Sequence, residues 1–157
     1  KIAKIVIKDL RPLIEAKRIN IIEHFDKSLP KIMVDPKLMT IIFQNLFSNS
    51  VKYSKANGRV EITIRKKDDE LLIAVEDHGY GIPSAQQKEI FSKMFRADNA
   101  KRVDPDGTGL GLYIVREIIN YTGGKVWFTS SEGKGTTFYA SLPMSGMRKK
   151  VSKKLLI

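Results

Sequence analysis

Two hydrophobic periods alternate along this chain. Over 2–17 (IAKIVIKDLRPLIEAK) the apolar residues fall at helical spacing, with Pro12 placed to kink or restart the helix. The runs 19–25 (INIIEHF) and 31–34 (KIMV) read as two short strands around a turn at 26–30. The helical period returns at Asp35-Pro36, a cap and first-turn pair, and Leu38, Met39, Ile42, Phe43, Leu46, Phe47 and Val51 carry it to Ser54 without a glycine or proline. Asn57-Gly58 marks a turn. Val60, Ile62 and Ile64 then alternate with Glu61, Thr63 and Arg65, and the charged turn KKDDE leads into 71–76, which predicts a hairpin. The stretch 86–95 reads as a short helix carrying Phe91 and Phe95. By contrast, 97–107 has no period, mixes charges and closes on Asp-Pro-Asp-Gly, the pattern of a mobile loop. A helix over 110–121 follows, stopped by Gly123-Gly124, and KVWFTS and TTFYASLP form a last hairpin. Hairpins interleaved with helices predict an α+β fold, a two-layer sandwich of a mixed, mainly antiparallel sheet with three main helices on one face.

Composition narrows the class. The 157 residues suit one domain, taken as 1–146, followed by a basic tail at 147–157. Without cysteine, disulfides, zinc–thiolate sites and thiol catalysis are excluded. No apolar run approaches the ~20 residues of a membrane helix, and a cytoplasmic location is expected. The chain opens on Lys1, so it reads as part of something longer. A net charge of +11 points to an anionic partner, although part of the excess sits in the tail.

Three constellations carry chemistry. Asn45, Asn49 and Lys52 share one edge of the central helix. Asparagine is a poor residue for a helix interior, so the row is either a solvated face or a set of metal and phosphate ligands. Asp77-His78-Gly79-Tyr80-Gly81-Ile82-Pro83 comes directly off a strand, where a carboxylate can face a pocket and the glycines allow close backbone approach. Gly107-Thr108-Gly109-Leu110-Gly111-Leu112 opens a helix, where backbone donors and the helix dipole favour an anion. Neither the P-loop nor the dinucleotide fingerprint is present, and either glycine loop alone is a weak signal.

In this order the pieces resemble the GHKL ATP-binding superfamily, and more closely the catalytic ATP-binding domain of sensor histidine kinases. NLFSNSVKYS matches the N box, DHGYGIP the first glycine box, IFSKMFR the F box and GTGLGL the second glycine box. The resemblance covers 1–143 and implies the Bergerat sandwich, with 1–17 as a leading helix and 97–108 as a flexible ATP lid. It implies ATP and Mg²⁺ as cofactors, with Asn49 as the metal ligand and Asn45 beside it. Lys52 and Tyr53 would meet the phosphates and sugar region, Asp77 the adenine amino group, and Arg96 the γ-phosphate. Asn49, Lys52 and Arg96 would be the catalytic set. Gly79, Gly81, Ile82, Phe91, Phe95, Gly107, Thr108, Gly109, Leu110, Gly111, Leu112 and Thr137 would complete the nucleotide site. The expected partners are a separate dimerisation domain carrying the phosphoacceptor histidine and a response-regulator receiver domain, with no nucleic acid. His24 lacks an acceptor context, and His78 departs from the family's usual asparagine.

Two other readings compete. ATPases of the same superfamily resemble this chain but place a general-base glutamate one turn before the metal asparagine. Here that residue is Asn45, whose amide cannot take up a proton near neutral pH. A basic nucleic-acid module could use Trp127, Phe128, Phe138 and Tyr139 for stacking, but their strand alternation fits core and sheet surface better.

Overall fold

Helix α3, Pro36–Tyr53, is the element on which the others pack. The Asp35 carboxylate starts it by accepting from the backbone N–H groups of Lys37 at 2.8 Å and Leu38 at 3.2 Å. One face then buries Met39, Ile42, Phe43, Leu46, Phe47 and Val51, with the Phe43 and Phe47 rings stacked at 5.0 Å. In the computed structural model, which describes residues 1–147, two further main helices flank it. The leading segment is broken at Leu10 into α1 (Ile2–Asp9) and α2 (Arg11–Lys17), as Pro12 demands, and α1 buries Ala3 and Val6. Helix α5 (Gly111–Tyr121) buries Val115 and Ile119.

These helices cover one face of a five-stranded sheet. Its strands are β1 (Asn20–Phe25), β2 (Arg59–Lys67), β3 (Glu70–Asp77), β4 (Lys125–Ser131) and β5 (Gly135–Pro143), in the order β1-β2-β3-β5-β4. Only β1–β2 is parallel, and α3 supplies the crossover that such a pair needs. The period-two pattern sends Val60, Ile62, Ile73, Val75, Phe138, Ala140 and Leu142 into the core. Trp127 and Tyr139, stacked at 5.2 Å, lie on the open face. Register places Asp77 opposite both Val60 and Thr136, so a carboxylate ends the core row of β3.

The structure corrects three expected elements. Residues 31–34 form no strand: Ile32 and Val34 pack on the core, but the segment has no ladder partner. The expected helix over 86–95 is a 3₁₀ turn, Ser84–Glu89, followed by turns, with Met94 at φ 61°. Within 97–107, expected to lack structure, Asp98–Val103 forms a short helix, α4. The expected basic tail lies outside the described residues apart from Met147.

Candidate functional site

A cavity of about 190 Å³ opens between α3, the loop after β3, the 90–97 turns, α4 and the start of α5. It gathers most of the predicted residues: Asn45, Asn49, Lys52, Tyr53, Asp77, Gly81, Ile82, Phe95, Arg96, Gly107, Thr108, Gly109, Gly111 and Leu112 all line it. Four predicted residues are absent from its wall. Gly79 packs against the Tyr53 carbonyl, Leu110 is the N-cap residue of α5, and Phe91 packs edge-on against Phe128 at 5.9 Å. Thr137 points to the open face of the sheet, and Thr136 takes its place in the cavity. Strand alternation could have shown this, because Thr136 shares the parity of Phe138, Ala140 and Leu142. Ser48, Tyr80, Ile90, Ala97, Asn99, Ala100, Asp104 and Phe138 also line the cavity and were not anticipated.

One end is organised by Asp77. Its side chain is 4% exposed, and its carboxylate accepts from the Gly79 N–H at 3.0 Å. Burial pushes its pKa up to about 6, against the pull of the Gly79 and Thr136 backbone donors. The loop beyond it is held against the end of α3, where Tyr80 N–H donates to the Tyr53 carbonyl at 3.1 Å. A Cβ at Gly79 would stand 1.9 Å from that same carbonyl oxygen, so only glycine fits. Ser130 Oγ accepts from Ile82 N–H at 2.8 Å and is within 2.8 Å of Thr136 Oγ1. His78 lies on the open face instead, 3.8 Å from Glu61 and 3.7 Å from Glu76, and His24 is 3.1 Å from Glu61.

The other end is cationic and is covered by α4 and the residues after it. Lys52 Nζ pairs with Asp104 at 3.1 Å. Arg96 donates to the carbonyls of Pro105 at 2.9 Å, Ala100 at 3.4 Å, and Asp104. Burial raises the Tyr53 hydroxyl pKa, and the Asp104 carboxylate adds to the effect. Two ties fix α4 to the rest of the site. Gln86 and Asp98 exchange bonds of 2.6 and 3.0 Å, and Asn99 donates to the Gly81 carbonyl at 2.8 Å. Helix α5 begins without a side-chain cap, and Gly111 and Leu112 of its first turn line the cavity.

Between the two ends stands the asparagine pair. Asn45 Nδ2 donates to the Ile41 carbonyl at 2.8 Å, which leaves its amide oxygen facing α5. A Cβ on Gly111 would come within 2.4 Å of that oxygen, so this glycine lets the helix start approach α3. The Asn49 amide is engaged by none of the described hydrogen bonds. Among the described residues, no group of three or more His, Asp or Glu could hold a metal ion. A hard cation here would therefore need an amide oxygen together with oxygens of a ligand and water, a donor set that suits Mg²⁺. A buried acceptor at one end, and cations with a bare helix start at the other, fit a heterocycle bearing a polyanionic tail.

Comparison with known proteins agrees with this geometry. A family described as histidine kinase-, DNA gyrase B-, and HSP90-like ATPase matches residues 34–146. The sensor protein kinase WalK of Staphylococcus aureus is 36% identical over 125 residues, covering 76% of this chain. The chain spans only 21–30% of the length of these curated relatives. Among solved structures, the nucleotide-free catalytic domain of histidine kinase ThkA superposes with a TM-score of 0.77 at 26% identity, over 91% of this chain and 92% of that one. Full-length ShkA in complex with AMPPNP gives 0.78 at 27% identity, over 94% of this chain and 30% of that one. Among the described residues, no helix is long and apolar enough to cross a membrane.

Proposed function

From the premise that this chain belongs to the histidine kinase-, DNA gyrase B- and HSP90-like ATPase family, we propose that it binds Mg-ATP and donates the γ-phosphate to a histidine on a separate dimerisation domain. The observation that carries this reading is the layout of one cavity. It has Asp77 buried at one end, Lys52, Arg96 and the uncapped start of α5 at the other, and Asn49 between them. The similarity to a sensor protein kinase supports the histidine as acceptor and a response regulator downstream, and a cytoplasmic position suits both.

Each residue then has a task. The Asp77 carboxylate accepts from the adenine amino group, and Gly79 lets the loop pack against the end of α3. Lys52 and Arg96 exchange Asp104 and the lid carbonyls for phosphate oxygens. The first-turn N–H groups of α5 hold the phosphate chain with the help of the helix dipole. Mg²⁺ bound through Asn49 would offset charge on the phosphate oxygens during transfer. Asn45 cannot act as a base toward water, so the site positions ATP for an incoming nucleophile rather than for hydrolysis.

The test is phosphoryl transfer in the full-length protein carrying this chain. Label from γ-phosphate-labelled ATP should be acid-labile and base-stable. Asn49→Ala should cut its rate by roughly 100-fold or more, in line with the several kcal/mol a positioned metal supplies. Acid-stable label on a serine, or brisk hydrolysis indifferent to Asn49→Ala, would overturn the assignment.

A further inference from the structure

The end of α3 is capped in an unusual way. Its chain continues into Ser54 with extended backbone and without a glycine, so the last-turn carbonyls cannot be satisfied by a left-handed cap. Accounting for them one by one leads to three partners: Ser54, Tyr80 and Lys17. The Ser50 carbonyl accepts from the N–H and Oγ of Ser54, at 3.1 and 2.7 Å. The Tyr53 carbonyl accepts from Tyr80 N–H in the loop after β3, at 3.1 Å. The carbonyls of Val51, Lys52 and Ser54 all accept from one group, the Lys17 ammonium of α2, at 3.0, 2.5 and 2.5 Å. An ammonium has three protons, and all three are used on main-chain oxygens.

From this, we propose that Lys17 is a positioning residue for nucleotide binding, one that touches no part of the ligand. Its side chain is not part of the cavity wall. What it holds is the short stretch that supplies the Lys52 and Tyr53 side chains and the carbonyl on which the Gly79–Gly81 loop hangs. The clash that a Cβ at Gly79 would make with the Tyr53 oxygen shows how little slack that contact has. A positive charge at a helix C-terminus is also favourable toward the helix dipole. Burial pushes the Lys17 pKa down while the Asp77 carboxylate pulls it back up, so the ammonium and the carboxylate share one electrostatic environment. Through Lys17, the seating of α2 and the geometry of the nucleotide loop become one variable. By reciprocity, nucleotide binding must in turn tighten the hold on Lys17.

The inference rests on the ATP-binding reading, and the test separates the two. Lys17→Met keeps the stem and removes the charge, and it should weaken Mg-ATP binding about tenfold, as expected for a lost charge-assisted hydrogen bond. Lys17→Arg should recover most of that affinity. Val6→Ala, a cavity in the same helical layer far from the α3 end, should lower the melting temperature and leave affinity within about twofold, because distant sites act independently. Exchange of the Tyr80 amide, read without nucleotide, should quicken in Lys17→Met and not in Val6→Ala. Parent protein that fails to bind ATP, with Tyr80 exchange still quickened by Lys17→Met, would strike the functional reading and leave standing the hold of Lys17 on the loop. Lys17→Met with parental affinity and parental Tyr80 exchange would overturn the role. If Lys17→Met does not fold, acylation of parent lysines decides. Mg-ATP should slow modification of Lys17 several-fold and leave Lys4 unchanged, and equal effects on both would overturn the proposal.

Discussion

The two ends of the cavity are built on opposite plans. At the Asp77 end the groups come from strand ends and from the loop after β3, whose Gly79, Tyr80 and Ile82 N–H groups are all bonded within the protein. At the Lys52 end the cations are engaged by Ala100, Asp104 and Pro105, and the covering residues 101–103 are exposed. A fixed end suits discrimination between bases, since a preorganised acceptor spends little on binding. An end that must exchange partners suits a triphosphate that arrives whole and leaves shorter. The contrast teaches that affinity for the base and access for the phosphates can be tuned separately.

Removing the acceptor breaks the fixed end most severely. Asp77→Asn should lower ATP affinity by roughly 10–100-fold, the value of one charge-assisted hydrogen bond, while leaving the weaker binding of GTP nearly unchanged by calorimetry. The same change should stabilise the nucleotide-free protein near neutral pH, by no more than about 3 kcal/mol, because it deletes a buried charge. Urea denaturation of both proteins would show the sign.

A proton offers a gentler version. Because the Asp77 pKa is raised from 3.8 to about 6, the folded protein holds this proton more tightly than the unfolded chain does. That contribution to stability is present at acid pH and is lost as pH rises through about 6. ATP affinity should run the other way, falling as pH drops through the same range, since only the carboxylate accepts without also donating. A titration in which both quantities fall together below neutrality would deny Asp77 this part.

At the exchangeable end the expected effects are smaller and of opposite sign. Asp104→Asn frees Lys52 of its ion pair and should raise ATP affinity a few-fold, since a part-exposed pair is worth up to about 1 kcal/mol. Weaker binding would mean that Asp104 assists the nucleotide instead of standing in its place. Smallest of all, Mg-ATP should slow tryptic cleavage at Lys101 and Arg102 by a modest factor relative to Lys4. Equal rates would show that the lid keeps its nucleotide-free arrangement.

At both ends the sequence located side chains that line the cavity, Asp77 and Gly81 at one and Lys52, Arg96 and Gly109 at the other, but it did not show the short helix α4 that covers the second. Asp77 and the asparagine row lie on regular elements whose periods locate them, and Gly81 was found by its loop motif. Helix α4 escaped notice because its anchors, Gln86 with Asp98 and Asn99 with Gly81, join positions 12 and 18 residues apart. Local pattern carries no trace of such ties. The segment 31–34 misled for a related reason: alternation reports which side chains face the core, not whether a neighbouring strand is there to bond with. Thr137 was an error of parity. One residue's shift along a strand exchanges the core face for the open one.

Strands β3 and β5 lie side by side although residues 78–134 separate them, and the 104–110 stretch within that span belongs to no helix or strand. Loop-closure entropy grows only logarithmically, so doubling such a connection costs about 0.6 kcal/mol. The length of that stretch is therefore almost invisible to folding. Residues can be added or removed there over evolutionary time, or by an engineer, without asking the sandwich beneath to change.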